Sequence, residues 1–203
     1  HFIEVMTCPG GCSGGGGRFE AGMLYYCPQI WCSDDTDAFE RTKIQYGTSF
    51  FYPVSAVGAH ISAVPGHQTG RITPIETRAV TAMAGSFGYE LDLNTLSDEE
   101  KQKVKEQIVR FKQDGPLIHN GLYYRLSNPM TDKFAVWEFV SENRTDVLVN
   151  GVIFRTEPNS RQYSIKLRGL LPEADYRLEE NGKVYKGSAL MNGGILLPKS
   201  WGD

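Results

Sequence analysis

Residues 96–127, LSDEEKQKVKEQIVRFKQDGPLIHNGLYYRLS, divide the sequence into two kinds of structure. Ser97 followed three residues later by Glu100 is a capping box. Val104, Ile108 and Phe111 then recur on one face, so the stretch opens as an amphipathic helix. Gly115 and Pro116 end that pattern, and from Gly121 the apolar residues alternate with period two, which is the signature of a half-buried strand.

Upstream of this switch, apolar runs alternate with helical patterns, as in βα units with parallel strands. GMLYYCPQIW (residues 22–31) reads as strand material, and DDTDAFERTKIQYG (34–47) as a helix capped by Thr36 or Asp37 and ended by Gly47. SFFYPVSAVGAHI (49–61) reads as a second strand. In TPIETRAVTAMAG (73–85), Thr73 is the expected N-cap, Pro74 the first helical residue, Glu76 the other half of a capping box and Gly85 the stop. FGYELDL (87–93) reads as a third strand.

Downstream, GLYYRLS, KFAVWEFVS, DVLVNGVIFR, RQYSIKLRG and ADYRLEENGKVYKG all alternate, and Asn-Gly pairs at 150–151 and 181–182 mark hairpin turns. No helix is expected here. The fold class is therefore α/β over residues 1–116 followed by an antiparallel all-β domain over residues 117–203. There is no internal repeat, and the glycine run 14–17 is the one low-complexity tract.

The composition suits a globular protein. The chain has 203 residues, 40% of them hydrophobic and 22% charged, enough to bury a core. Twenty-one basic against twenty-four acidic side chains give a net charge of -3, which provides no electrostatic footprint for nucleic acid or an anionic membrane. No apolar run approaches the roughly 20 residues that span a bilayer, and HFIEVMTCPGG at the N-terminus lacks the basic and apolar regions of a signal peptide. The expected location is the cytoplasm. Because the sequence starts at His1 and runs directly into strand-like residues, it reads as a fragment.

Three constellations could carry chemistry. Ser33-Asp34-Asp35-Thr36-Asp37 lies between an apolar run and a helix start, which in a parallel α/β protein is the C-terminal end of a strand, where barrel enzymes keep their catalytic groups. Acidic residues there also cap helices, yet three carboxylates within four positions exceed the needs of one cap and leave general acid–base chemistry open. Cys12-Ser13-Gly14-Gly15-Gly16-Gly17 permits close backbone approach to a ligand, or is simply a turn; no Gly-Lys-Ser/Thr follows, so it is not a nucleotide-binding P-loop. Cys8, Cys12, Cys27 and Cys32 could supply four thiolates to zinc or an iron–sulfur cluster, or be reduced free thiols; neither pair has the common two-residue spacing. His60 and His67, on either side of SAVPG, are structural or ligand contacts.

The segment from CSGGGGRFEAGMLYYCPQIWCSDDTDAFERTKIQYG through SAVPGHQTGRITPIETR resembles the later half of the catalytic barrel of the family 36 glycoside hydrolases, the bacterial α-galactosidases, and the likeness extends from about residue 12 to the end. The resemblance implies a partial (β/α)8 barrel, about strands five to eight, followed by an antiparallel β-sandwich. It implies hydrolysis of terminal α-linked galactose, as in melibiose and raffinose, with retention through a covalent galactosyl-enzyme. Asp34 matches the catalytic acid/base, Cys12 matches a residue lining the galactose site, and Gly15 lies alongside it. No metal or other cofactor is implied, and the parent is expected to be a homo-oligomer.

Retention requires two carboxyl groups roughly 5–5.5 Å apart. In the family the nucleophile is an Asp in a Lys-Trp-Asp strand motif upstream of the glycine turn, and that motif is absent from these 203 residues. A whole barrel takes about 250 residues, and after LMNGGILLPKSWGD the family usually continues into one more strand. The chain is therefore expected to lack both ends of the parent, to be inactive alone and, with open strand edges, to self-associate.

Two other readings compete. EVMTCPGGCSGGGG resembles the iron-only hydrogenase signature, in which Cys8 and Cys12 would be cluster ligands, and a chimeric junction at the shared glycines would produce both likenesses. A non-catalytic carbohydrate-binding module would use Trp137 or Trp201 as a sugar platform, although aromatic residues in a sandwich are more often core.

Overall fold

The computed structural model describes residues 21–25, 29–155 and 162–197. Asp37, rather than Thr36, caps the first helix: its Oδ1 accepts the Phe39 and Glu40 amides at 2.9 and 3.1 Å, and α1 runs Ala38–Thr48, one residue past Gly47. Among the described residues of the apolar run expected to form a strand before the acidic cluster, Ala21–Tyr25 form a 3-10 turn and Ile30 lies parallel to Val57. Phe50 and Phe51 are exposed in a turn instead of extending a strand.

The chain then turns through Val54–Ala56 and enters a parallel arrangement. Val57 and Gly58 bridge Ile30 on one side and Ser86 on the other, and β1 (Ile61–Ser62) pairs in parallel with β2 (Tyr89–Glu90). Between these strands α2 spans Ile75–Ala82 with Pro74 at its N-cap. The predicted Thr73/Glu76 box does not form, because Thr73 is buried with its carbonyl accepting from Arg78 Nε at 3.1 Å, and Glu76 instead pairs with Lys103 at 2.6 Å. Gly85 allows the next crossing. A Cβ there would run into the Val57 carbonyl oxygen, closer than any side chain tolerates.

The core beneath these pairings is Ala59, Ile61, Ile75, Ala79, Ala82 and Val104. Val104 is contributed by α3, Asp98–Asn120. Its capping box forms as read, Ser97 N donating to Glu100 Oε2 at 3.0 Å and Glu100 N to Ser97 Oγ at 3.1 Å. Ile108 packs on the core and Phe111 lies 4.8 Å from the Phe87 ring. The helix does not stop at Gly115 but continues through Pro116. Ile118, 1% exposed, shows why: burying an isoleucine stabilises by about 1.5–3 kcal/mol, comparable to the roughly 3 kcal/mol that an interior proline costs.

Internal contacts divide the chain between His119 and Asn120. The second unit contains an antiparallel sheet in the order β3 (Leu122–Arg125), β4 (Phe134–Val140), β5 (Val147–Ile153). Two antiparallel pairs accompany it, β6 (Ser164–Ile165) with β9 (Ile195–Leu196) and β7 (Asp175–Arg177) with β8 (Val184–Lys186). The Asn181-Gly182 turn joins β7 and β8, with Gly182 at φ +70°.

Two expectations fail here. Asn150-Gly151 is not a turn: both residues sit inside β5, opposite Trp137 and Val136. The β4–β5 reversal falls at residues 141–146, where Arg144 takes φ 59°. A helix is also present, α4 (Gly187–Asn192), too short to show a helical period in sequence. It is fixed by Leu190, which is buried with Val140, Leu167, Leu170 and Tyr176.

Candidate functional site

The acidic cluster follows directly on the parallel bridge at Ile30 and folds as a ladder of side-chain-capped turns. Ser33 Oγ accepts the Asp35 amide at 3.1 Å, Asp35 Oδ1 accepts the Asp37 amide at 3.0 Å, and Asp37 then caps α1. Short polar side chains favour such local bonds. The ladder separates the three acids by role.

Asp37 is buried, and both of its oxygens are engaged: Oδ2 accepts the Thr69 hydroxyl at 2.7 Å, and Oδ1 meets Arg71 as well as the helix amides. Burial pushes its pKa up, but the Thr69 hydroxyl, the Glu40 and Phe39 amides and the Arg71 guanidinium together hold it below the ordinary value. Asp35 supports the Asp37 amide, and the Gln68 amide, turned with its NH2 toward the acid, donates to both Asp35 oxygens at 3.2 Å. Asp34 alone of the three is exposed. Its Oδ1 accepts the Trp31 indole N–H at 3.0 Å.

Trp31 belongs to a stack that the sequence did not reveal. Its ring lies 4.5 Å from that of His60, only 7° from parallel, and the Arg41 guanidinium sits 4.7 Å from the ring centroid. Arg41, on α1, is itself buried and donates to the carbonyls of Ser33 at 3.1 Å and Gly58 at 2.6 Å. Burial lowers its pKa, an effect that Cys32 and Asp35 oppose. His60 Nε2 lies 2.5 Å from Glu90 Oε2 at the end of β2. Burial lowers the His60 pKa and the charge of Arg41 adds to this, with Glu90 opposing, so the imidazole is held toward its neutral form.

Of the residues singled out from sequence, Asp34, Asp35, Asp37 and His60 are thus brought together, while His67 is exposed on the loop after β1. Cys12, Gly15, Cys8, Cys27 and Trp201 lie outside the described residues. Among the described residues no group of three His, Cys, Asp or Glu side chains could hold a metal ion, and no helix is long and apolar enough to cross a membrane. Trp137, considered above as a sugar platform, is 5% exposed within β4 and cannot serve as one.

Trp31, Arg41, Thr69 and Arg71 were missed. An indole three residues before an acid was the one local signal available for them. In the second unit another carboxylate is perturbed: Glu138 on β4 is fully buried, its Oε1 accepts the Arg168 amide at 2.6 Å, and burial pushes its pKa up to about 7, with the Arg168 amide and charge opposing.

The melibiase family model matches residues 5–121, and the model of the glycosyl hydrolase family 36 C-terminal domain matches residues 134–203. Over 188 residues the chain is 61% identical to the bifunctional alpha-galactosidase/sucrose kinase AgaSK of Mediterraneibacter gnavus, covering 93% of this chain and 20% of that protein. Alpha-galactosidase AgaA of Geobacillus stearothermophilus is 50% identical over 187 residues, with 92% of this chain and 26% of the relative covered. A solved structure of an AgaA variant in complex with raffinose superposes with a TM-score of 0.90 at 48% identity, over 95% of this chain and 27% of that one. The chain therefore spans about a fifth to a quarter of the length of these relatives. The melibiase match begins at residue 5 and takes in Cys8 and Cys12, so the hydrogenase likeness is not borne out.

Proposed function

We propose an activity for this chain, which belongs to the melibiase family, glycosyl hydrolase family 36: it supplies the acid/base and part of the galactose site of a retaining α-galactosidase. The parallel pairings around Ile30, Val57–Gly58, β1 and β2 belong, on this reading, to the later strands, about five to eight, of a (β/α)8 barrel. The antiparallel strands after residue 117 belong to a β-sandwich. Cys12 and Gly15 line the galactose pocket. The substrates are melibiose- and raffinose-type α-galactosides, and the whole protein works in the cytoplasm as a homo-oligomer without a cofactor.

The supporting observation is the division of labour in the acidic ladder. Asp35 and Asp37 are spent on the turn and the helix cap, whereas Asp34, next to a parallel strand end, keeps one carboxylate oxygen clear of every contact described above. In the first step Asp34 gives its proton to the glycosidic oxygen as the C1–O bond breaks and a carboxylate nucleophile, contributed from outside these residues, bonds to C1. In the second step it takes a proton from the water whose oxygen displaces that nucleophile.

The test is Asp34→Ala in a completed enzyme, with these residues replacing the matched stretch of AgaSK. Melibiose turnover is expected to fall about 10²–10⁴-fold, the usual worth of a general acid. A dinitrophenyl α-galactoside, whose leaving group needs no proton, should still form the galactosyl-enzyme, and azide should restore turnover by giving α-galactosyl azide. Unchanged melibiose turnover would reject the assignment.

A further inference from the structure

We propose that Trp31 positions the acid/base by engaging one oxygen of Asp34, so that the proton delivered to the leaving group is carried on the other; this rests on Asp34 being that acid/base. An indole N–H donates and never accepts. The oxygen it meets at 3.0 Å, Oδ1, must therefore present a lone pair. A protonated carboxyl group has a single O–H and its carbonyl oxygen is the better acceptor, so the indole bond to Oδ1 favours the proton on Oδ2. The same bond fixes the rotation of the carboxyl group, which otherwise turns freely on an exposed side chain.

The stack around the indole makes this a fixed orientation. His60, from β1's approach, lies against the ring at 4.5 Å, and Arg41, from α1, holds the ring at 4.7 Å. Arg41 also donates to the Ser33 carbonyl at 3.1 Å, the peptide group that leads directly into Asp34. One buried cation thus ties together the ring that donates and the backbone that carries the acceptor. During the reaction Oδ2–H passes its proton to the glycosidic oxygen; the resulting carboxylate keeps Oδ1 on the indole, and Oδ2 recovers a proton from the attacking water. Trp31 neither gains nor loses a proton.

The experiment compares Trp31→Phe with the full-length AgaSK chimera described above, using melibiose and a dinitrophenyl α-galactoside. A second variant, in which Trp31 is replaced by 3-benzothienylalanine, keeps the bicyclic ring and its stack while removing only the N–H. For both variants kcat/KM on melibiose should fall about tenfold, the scale of losing one hydrogen bond to a charged group, with the dinitrophenyl substrate changed by less than about twofold. A purely structural ring would lower both substrates by the same factor, and that result overturns the proposal. So does undiminished melibiose turnover in the benzothienyl variant while Asp34→Ala is impaired. If Asp34→Ala itself leaves melibiose turnover intact, the acid/base assignment fails first and the role of Trp31 falls with it.

Discussion

At the scale of single residues, Asp34 and Asp37 show how identical side chains three positions apart come to different work. Asp37 →Ala removes two helix-cap hydrogen bonds and leaves Thr69 and Arg71 without their shared acceptor. Loss of an Asp cap costs about 1–2 kcal/mol. Native-state hydrogen exchange of the α1 amides in the completed enzyme should show an opening free energy lower by at least that amount, with Asp37→Asn losing less because the cap oxygen remains. The preference for activated over natural leaving groups should be unchanged, since both Asp37 oxygens point into the fold. Unaltered exchange in Asp37→Ala would refute the cap role. The sequence made the cluster and a capping acid legible because caps are local. It could not show that Trp31 addresses Asp34, since the indole's orientation depends on His60, 29 positions further along, and on a buried Arg41.

At the scale of elements, Gly151 carries the clearest lesson. Asn-Gly is a strong turn signal when its neighbours are free to reverse, yet here the residues on either side pair with β4 over its whole length, and the pair lies within β5. A Cβ on Gly151 would come within 3.1 Å of Val136 Cγ2 and 3.3 Å of the Ala135 carbonyl oxygen, so the glycine admits close packing across the two strands. Gly151→Val, favourable by strand propensity alone, should therefore destabilise by about 1–3 kcal/mol, the usual cost of overpacking. Thermal unfolding of the completed enzyme measures it, and a stabilised variant would contradict the Val136–Gly151 register. The same comparison explains which helices could be read. The Ser97/Glu100 box is made by two side chains of one turn, so it forms as written. The Thr73/Glu76 box is displaced by Arg78 and Lys103, partners that no local pattern announces.

At the scale of the whole molecule, the two units carry desolvated titrating groups whose linkage to pH has opposite sign. Glu138 in the second unit has its pKa raised from 4.5 to about 7. The native state therefore holds this proton more tightly than the unfolded chain does. The stability it contributes is complete below the unfolded value and is lost as pH rises through about 7, a swing on the order of 3 kcal/mol. His60 in the first unit has its pKa lowered below 6.5. Its native state favours the neutral ring, so the stability it contributes is present above the unfolded value and is lost as pH falls below it. The lowered carboxyls of Asp37 and Glu76 act in the same direction as His60 but at lower pH, near and below their ordinary values. Hydrogen exchange, corrected for the intrinsic pH dependence of amides, should thus report β4 and β5 as more protected at pH 5.5 than at pH 8, and β1 and β2 as less protected. Glu138→Gln should flatten the first trend and leave the second untouched, because a neutral amide at that position has no proton to release. Parallel loss of protection in both units on acidification would mean that Glu138 ionises normally, and that the hydrogen bond from the Arg168 amide outweighs the cost of its burial.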